Sequence, residues 1–275
     1  MSGAYRESRS FRLGTPERVA AYLVTRMPAT YAACYAVLGE VRERIGAVNS
    51  VLDVGAGTGS APLAALECFP GAAITMIDHD AAMLDAAREW LPEARMIQAD
   101  AGQMLALPPH DLVVAAYSFG EFQSHIAERL WQAARVALVV IQPGTPSGFG
   151  TVLLVRDQLL DTGAYMVAPC PAAMPCPVVE PDWCHFAARV ERSSLHRRIK
   201  DGELGYEDEK YSYVALAREP AALPRARIVR RPQHHSGWIE LQTCTSTGLT
   251  SERATKRNPQ AFREARKAQW GEALS

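Results

Sequence analysis

The stretch Val51-Leu52-Asp53-Val54-Gly55-Ala56-Gly57-Thr58-Gly59 constrains the chain more than any other. Three apolar residues, Val51, Leu52 and Val54, flank one acid and run into a loop with glycine at every second position. A buried strand, such a loop and a following helix form a cradle for a nucleotide-like ligand. Glycine lets backbone come within contact distance of the ligand, and the helix start presents unpaired N–H groups. The spacing is G-x-G-x-G rather than the dinucleotide G-x-G-x-x-G, and Asp53 precedes the first glycine by two positions.

Those two details resemble the first motif of S-adenosylmethionine-dependent methyltransferases. Around the loop, apolar strands alternate with amphipathic helices. Strands are expected at Ser50 to Val54, Ala73 to Ile77, Ala94 to Gln98, Leu112 to Tyr117 and Val136 to Gln142. Helices are expected from Ala61 to Cys68, Ala81 to Trp90 and Thr151 to Leu160. The alternation predicts an α/β fold with a doubly wound, mostly parallel, Rossmann-like sheet, seven-stranded by the methyltransferase resemblance. Ligands of such sheets bind beyond the carboxyl ends of the strands, where Gly55, Asp78, Asp100, Ser118 and Pro143 gather. Asp78, at the end of the second strand, is placed to hold ribose hydroxyls, while Asp80 is the better helix cap. By resemblance to methyltransferases, Asp100 suits an adenine amino group. Asp53, Gly55, Ala56, Gly57 and Gly59 complete the candidate cofactor site.

Ahead of this sheet, residues 1–48 read as a helical region. Thr15-Pro16-Glu17 has the N-cap, first-position proline and acidic first turn of a helix start. Pro28 predicts a break near Met27 and a second helix from about Ala29 to Ile45; Arg26 and Tyr31 are candidates to line a cleft. Residues 49–218 form the expected methyltransferase-like domain, with a cysteine-rich insert at 165–187. Residues 219–250 read as a small β extension that completes a metal site, with a hairpin around Pro232 to Gly237. Residues 251–275 read as a basic C-terminal tail, helical after Pro259. At 275 residues and net charge −1, the chain can bury a large core, and any nucleic-acid affinity must come from local patches. No apolar run is long enough to span a membrane, and Met1 to Leu13 lack the apolar core of an export signal. The expected compartment is the cytoplasm of a bacterium, or the mitochondrial matrix for a eukaryotic source.

Six cysteines without an export signal argue against a disulfide framework. Cys34 and Cys68 sit in helix-like surroundings and read as small buried hydrophobes. Cys170, Cys176 and Cys184 share a loop whose prolines at 169, 171, 175, 177 and 181 hold the backbone extended. Thiolates gathered in this way bind a soft metal centre. The C-x5-C and C-x7-C spacings are wider than the usual zinc knuckle, whereas an iron–sulfur cluster tolerates varied spacing. Cys244 is the natural fourth ligand, and His185 is the alternative in a Cys3His site.

The combination of loop and cysteine block resembles a specific family. YLVTRMPATYA from Tyr22, LDVGAGTG from Leu52, YSFGEF from Tyr117, PGTPSGF from Pro143, PCPAAMPCP with DWCHF, and YEDEKYSYVA carry the likeness. They resemble the methyltransferase-like assembly factors of the mitochondrial small ribosomal subunit and their bacterial relatives, over roughly residues 18 to 257. The resemblance implies bound S-adenosylmethionine at Gly55-Ala56-Gly57. It also implies a four-iron four-sulfur cluster on Cys170, Cys176, Cys184 and Cys244, with zinc as the alternative. The implied partners are the small ribosomal subunit and its rRNA, with a monomer off the ribosome. Departures are Gln142, where the family commonly has an acid, and Phe119, where it usually has Leu. Four protein thiolates leave no open iron for radical chemistry, so a cluster there reads as structural.

Two main functions follow from these readings, with a third behind them. One is methylation of small-subunit rRNA, for which Glu121 is the single catalytic candidate, although it could equally cap a helix beginning near Gln123. The other is an assembly factor that binds rRNA without catalysis. A small-molecule methyltransferase with a structural zinc is a third. Two basic strips support RNA binding, one around Arg225 to His235 and one from Lys256 to Lys267, with Trp238 and Trp270 nearby for stacking.

Overall fold

In the computed structural model the described residues are 16–122, 125–191 and 204–274; Thr15 and Gln123, named above for a helix cap and a helix start, lie outside them. The chain breaks its first helical stretch where proline requires it. Helix α1 (Pro16–Thr25) ends before Arg26, and α2 (Met27–Arg42) restarts with Pro28 in its first turn, where the missing N–H has no partner to lose. The core stripe of α2, Ala29, Ala33, Val37, Leu38 and Val41, follows helical spacing.

The main sheet contains β1 (Ser50–Val54), β2 (Ala73–Asp78), β3 (Arg95–Gln98), β4 (His110–Ala116), β5 (Ala134–Pro143), β6 (Tyr165–Ala168), β7 (Phe186–Glu191) and β8 (Tyr206–Ala217). Its order is β3-β2-β1-β4-β5-β8-β6, with β7 also paired to β8. Strands β1 to β5 are parallel, and β8 runs antiparallel to β5, β6 and β7. Alternate residues of each central strand enter opposite cores: Val51, Leu112 and Val114 on one side, Leu52, Val113 and Ala115 on the other. Helices α2, α3 (Ser60–Cys68) and α4 (Ala81–Ala87) cover the first face, and α5 (Ile126–Ala133) and α6 (Pro146–Asp161) the second. This is the doubly wound, mostly parallel architecture expected.

Three details depart from expectation. The sheet has eight strands rather than seven, because Phe186–Glu191 adds β7. Tyr211 pairs with Pro143 of β5 and with Phe186 of β7, so β7 lies on the edge of β8 opposite β5, in line with β6. The insert therefore shrinks to 169–185, since Tyr165–Ala168 and Phe186–Glu191 at its expected ends are sheet strands. Helix α6 also begins earlier than expected. Thr145 caps it by accepting from Gly148 N at 3.1 Å, and Pro146 takes its first turn.

The expected β extension is a second sheet, and it also takes in residues expected as a tail. It comprises β9 (Ala226–Ile228), β10 (Gln233–His235), β11 (Trp238–Thr245), β12 (Gly248–Thr255) and β13 (Ala273–Leu274), the last two reaching into that tail. The strands expected at Ala226 to Val229 and Trp238 to Cys244 do pair antiparallel, as β9 and β11. The connection expected as a turn contains β10, which forms its own hairpin with β11, and β12 pairs with β11 along its whole length. The expected helix after Pro259 is α7 (Pro259–Lys267), capped by Asn258 and packed through Phe262 and Ala265 on Ile228, Ile239 and Leu241.

Arg227 of β9 ties the two sheets together. Its buried guanidinium donates to both carboxylate oxygens of Glu40 on α2, to Gly271 O at 2.7 Å and to Pro169 O at 2.9 Å. Glu40 also accepts from Tyr213 Oη at 2.5 Å and pairs with Arg44 at 2.9 Å. Removing one partner of a buried pair leaves the other charge uncompensated. Glu40→Ala is expected to cost about 3 kcal/mol of stability, read from the midpoint of urea unfolding.

Candidate functional site

The glycine loop leaves β1 at the switch point between β1 and β4, where a doubly wound sheet opens a crevice. Gly55 has φ +76°, and a Cβ there would lie 2.3 Å from the Cβ of Ser118, so no other residue fits. Ser118 Oγ donates to Val54 O at 2.7 Å and staples the ends of β1 and β4 together. At the crest, Gly57 N donates to Asp78 Oδ2 at 2.7 Å, while Asp78 Oδ1 accepts from Asp80 N at 2.8 Å. Asp80 accepts from Ala82 N and caps α4, as expected.

The cleft so formed has about 620 Å3 of free space, with Tyr22, Asp53, Gly57, Asp78, His79 and Glu121 among its walls. Gly55, Ala56 and Ser118 also line it. Asp53 is buried, and its Oδ1 has no hydrogen-bond partner among the described residues. Burial, with the charge of Asp78 adding to it, pushes its carboxyl up to about 8. Burial also raises Glu121; His79 opposes this, and Asp78 and Asp100 reinforce it. His79 Nδ1 stands 3.6 Å from Asp78 and 4.0 Å from Glu121. A crevice walled by acidic side chains repels a polyphosphate, and a ligand with a cationic group would favour release of the Asp53 proton.

Two expected cofactor residues stand elsewhere. Asp100 is exposed, accepts from Gly102 N and Gln103 Nε2, and is not among the lining residues. Gly59 caps α3 in a left-handed conformation, its missing Cβ leaving room for Leu91, and it too lies behind the wall. Glu121 sits in a short 3-10 turn, Phe119–Glu121, and faces the cleft rather than serving as the N-cap of α5, which is His125. Gln142 is buried, donates to Ile141 O at 2.7 Å and does not reach the cleft. Tyr22 and His79 were missed. Tyr22 lies one helical turn before Arg26, a spacing that marks a shared face. Arg26 itself forks onto Glu209 at 3.0 and 3.2 Å, and Tyr31 stacks on Tyr35.

The four cysteines line a second cavity, of about 690 Å3. Cys170, Cys176 and Cys184 come from the loop between β6 and β7, and Cys244 comes from β11, opposite Arg227 in register. Ser212 Oγ holds the loop by donating to Cys184 O at 2.8 Å, and Trp183 Nε1 by donating to Gly144 O at 2.9 Å. Arg156 of α6 and Arg227 also line the cavity, and Arg156 donates to Met174 O. Burial raises the thiols of Cys170 and Cys184, and that of Cys244 to about 11, with the neighbouring thiols adding to each. All six cysteines are free. Among the described residues no three His, Cys, Asp or Glu side chains are grouped closely enough to hold a single metal ion. His185 is not among the residues that line this cavity: its ring stacks on Trp183 at 5.2 Å and meets Trp270 edge-on at 4.9 Å. Cys34 and Cys68 are buried in α2 and α3, as expected.

The doubly wound sheet with antiparallel β8 and the glycine-loop cleft at its switch point define a protein of the Rossmann-like methyltransferase fold. Residues 16–275 match the family model described as mitochondrial small ribosomal subunit Rsm22, and the chain belongs to that family. It is similar to the mitochondrial ribosome assembly protein METTL17 of Homo sapiens, with 27% identity over 92% of this chain and 61% of that protein. It is also similar to the mitochondrial Rsm22-cox11 tandem protein 2 of Schizosaccharomyces pombe, with 24% identity over 96% of this chain and 44% of that protein. The chain thus spans less than two thirds of either relative. Among solved structures, the plantazolicin methyltransferase BpumL in complex with SAH matches with TM-score 0.46 and 12% identity, over 75% of this chain and 92% of that one. A putative RNA methyltransferase from Pyrococcus horikoshii matches with TM-score 0.41 and 16% identity, over 74% and 86%.

The buried Asp53 makes a prediction about pH. Its folded value near 8 lies above the ordinary value near 4, so the folded protein holds a proton that the unfolded chain has released. Stability of the ligand-free protein should therefore fall as pH rises from about 4 to about 8. Asp53→Asn should melt above wild type at about pH 8, with the gap closing toward about pH 4. A gap that does not change with pH would show that Asp53 does not titrate in this range.

Proposed function

We propose that this chain is a methyltransferase-fold factor in assembly of the small ribosomal subunit, which binds rRNA, holds S-adenosylmethionine and carries a four-iron four-sulfur cluster. The observation that carries the reading is the convergence of Cys170, Cys176 and Cys184 with Cys244, distant in sequence, on one cavity faced by two buried arginines. Four thiolates around a cluster bear net negative charge, and Arg156 and Arg227 answer it. The zinc alternative draws less support, because a single ion needs its donors closer together. Such a cluster bonds the loop of the main sheet to β11 of the second, so its role is structural. Protein purified without oxygen is expected to be brown, with absorbance near about 400 nm. Cys184→Ser should lose iron and expose the second sheet to limited proteolysis. A colourless protein holding zinc would overturn the cluster.

The cleft supports S-adenosylmethionine. That cofactor supplies a methyl group on a sulfonium, and it brings an ammonium and a ribose. Asp53 Oδ1 offers an unpartnered acceptor to a cation, and Asp78 has lone pairs left for ribose hydroxyls after binding two backbone N–H groups. Gly57 has no atom within 4 Å of where its Cβ would be, so its backbone lies open to a ligand.

Methyl transfer to rRNA is a second reading, favoured by Glu121. Its carboxylate faces the cleft, and burial moves it toward the range in which a base works. A strain lacking the protein should then lose one methyl group from its small-subunit rRNA. An unchanged modification map with defective subunit assembly would leave the cleft as a binding device.

A further inference from the structure

The second sheet has one covered face and one open face. Along β11, Ile239 and Leu241 are buried against α7, whereas Trp238, Glu240, Gln242 and Cys244 point the other way. The opposite face begins at Cys244 in the cysteine cavity and runs outward to Trp238. At its outer end is a three-layer stack. The His235 ring lies flat on the Trp238 indole, with centroids 3.8 Å apart and planes 10° apart. The guanidinium of Arg253 covers the indole at 4.5 Å from its centroid. The register explains the stack: His235 pairs with Trp238 across β10–β11, and Arg253 follows on β12 opposite Glu240.

Both outer surfaces of this stack belong to exposed residues, His235 and Arg253. The nearby carboxylate, Glu240, accepts from Ser251 Oγ at 2.5 Å and faces His235 Nε2 at 4.0 Å. Arg253 is in no ion pair among the described residues. The segment is basic as a whole: residues 219–275 contain ten Lys and Arg against five Glu, a net +5 in a chain whose net charge is −1. Of these, Arg227 is buried against Glu40, and Arg263, Arg266 and Lys267 belong to α7 on the covered face. The cofactor end, with Asp53, Asp78 and Glu121, has the opposite polarity.

We propose that the open face of the second sheet is a binding surface for single-stranded RNA. Unpaired bases extend the stack from the outer faces of His235 and Arg253, and phosphates meet the surrounding basic residues. An aromatic ring and a guanidinium plane accept any base, but only one whose π-face is free, so a duplex is excluded from the stack. Leu249 is the single large apolar side chain exposed on this sheet among the described residues, so the face lacks the apolar core of a protein interface. The proposal rests on the reading of rRNA as partner and says where the RNA lies.

The test is fluorescence anisotropy of the full chain with a labelled single-stranded RNA oligomer and with its duplex. Wild type should bind the single strand at least tenfold more tightly than the duplex. His235→Ala combined with Arg253→Ala, both at exposed positions, should lose at least tenfold in affinity while the melting temperature is kept. Arg253→Lys keeps the charge but not the plane, and should lose part of the affinity without the full effect. If wild type binds the single strand and the double variant binds within twofold of it, this surface is wrong and the RNA reading stands. If wild type binds no RNA, the rRNA reading fails with it. If the double variant keeps its RNA affinity and loses binding to RNA-free small-subunit proteins, the face belongs to a protein partner and the proposal is overturned.

Discussion

The second sheet depends on one buried cation. Arg227 leaves β9 and finds Glu40 on α2, Pro169 at the head of the cysteine loop and Gly271 beside Trp270. A guanidinium has five N–H donors in a fixed fork and cannot shed its charge, so it holds its neighbours to one geometry where a lysine would not. Tyr213 of β8 joins through Glu40, so helix, main sheet, loop and second sheet meet at a single ion pair. Because it is nearly sealed from water, the pair is weakly screened and costly to break from one side. The position of Cys244, opposite Arg227 in register, follows from it.

What could be read in the sequence was local. Val51 to Gly59 declares a strand and a tight loop in nine successive residues, and Asp78 and Asp80 sit where any strand-to-helix turn needs acids. The cysteines stand out because thiols and prolines rarely crowd together without a reason. The start of α6 was also legible, since Thr145 and Pro146 form an N-cap pair, yet the glycines and prolines around them read as a loop. Tyr22, His79, Arg156 and Arg227 were not legible in their roles. Each acts on a site built from another part of the chain, and that placement depends on the register of β8 and the crossing of α1. The strand β12 was hidden for a different reason. It is an edge strand with a charged, exposed surface, Thr-Ser-Glu-Arg-Ala-Thr, which lacks the alternation that marks a buried strand.

The two cavities have opposite electrostatic character for physical reasons. The cleft gathers acidic side chains because strand ends supply acids that cap helices and tie loops, and burial beside Asp78 favours the protonated form of Asp53. The cysteine cavity gathers arginines because buried thiols are weak acids, and a nearby cation favours the form that can bond a metal. His185 shows how narrow the distinction is. It is adjacent to Cys184, but its ring packs on Trp183 and against the edge of Trp270 instead of lining the cysteine cavity.

Strands β6 and β7 lie in line on one edge of β8, anchored opposite Ala215 and Tyr211. The ends of the cysteine loop are thereby held on the order of 13 Å apart, four strand positions along a rigid ladder. A segment clamped in this way can lengthen or shorten without shifting any strand, because both anchors belong to the same partner and its register is set independently by β5. The sheet and the loop can therefore change separately: a chain of this type can gain or lose its thiols while the crevice between β1 and β4 keeps its shape.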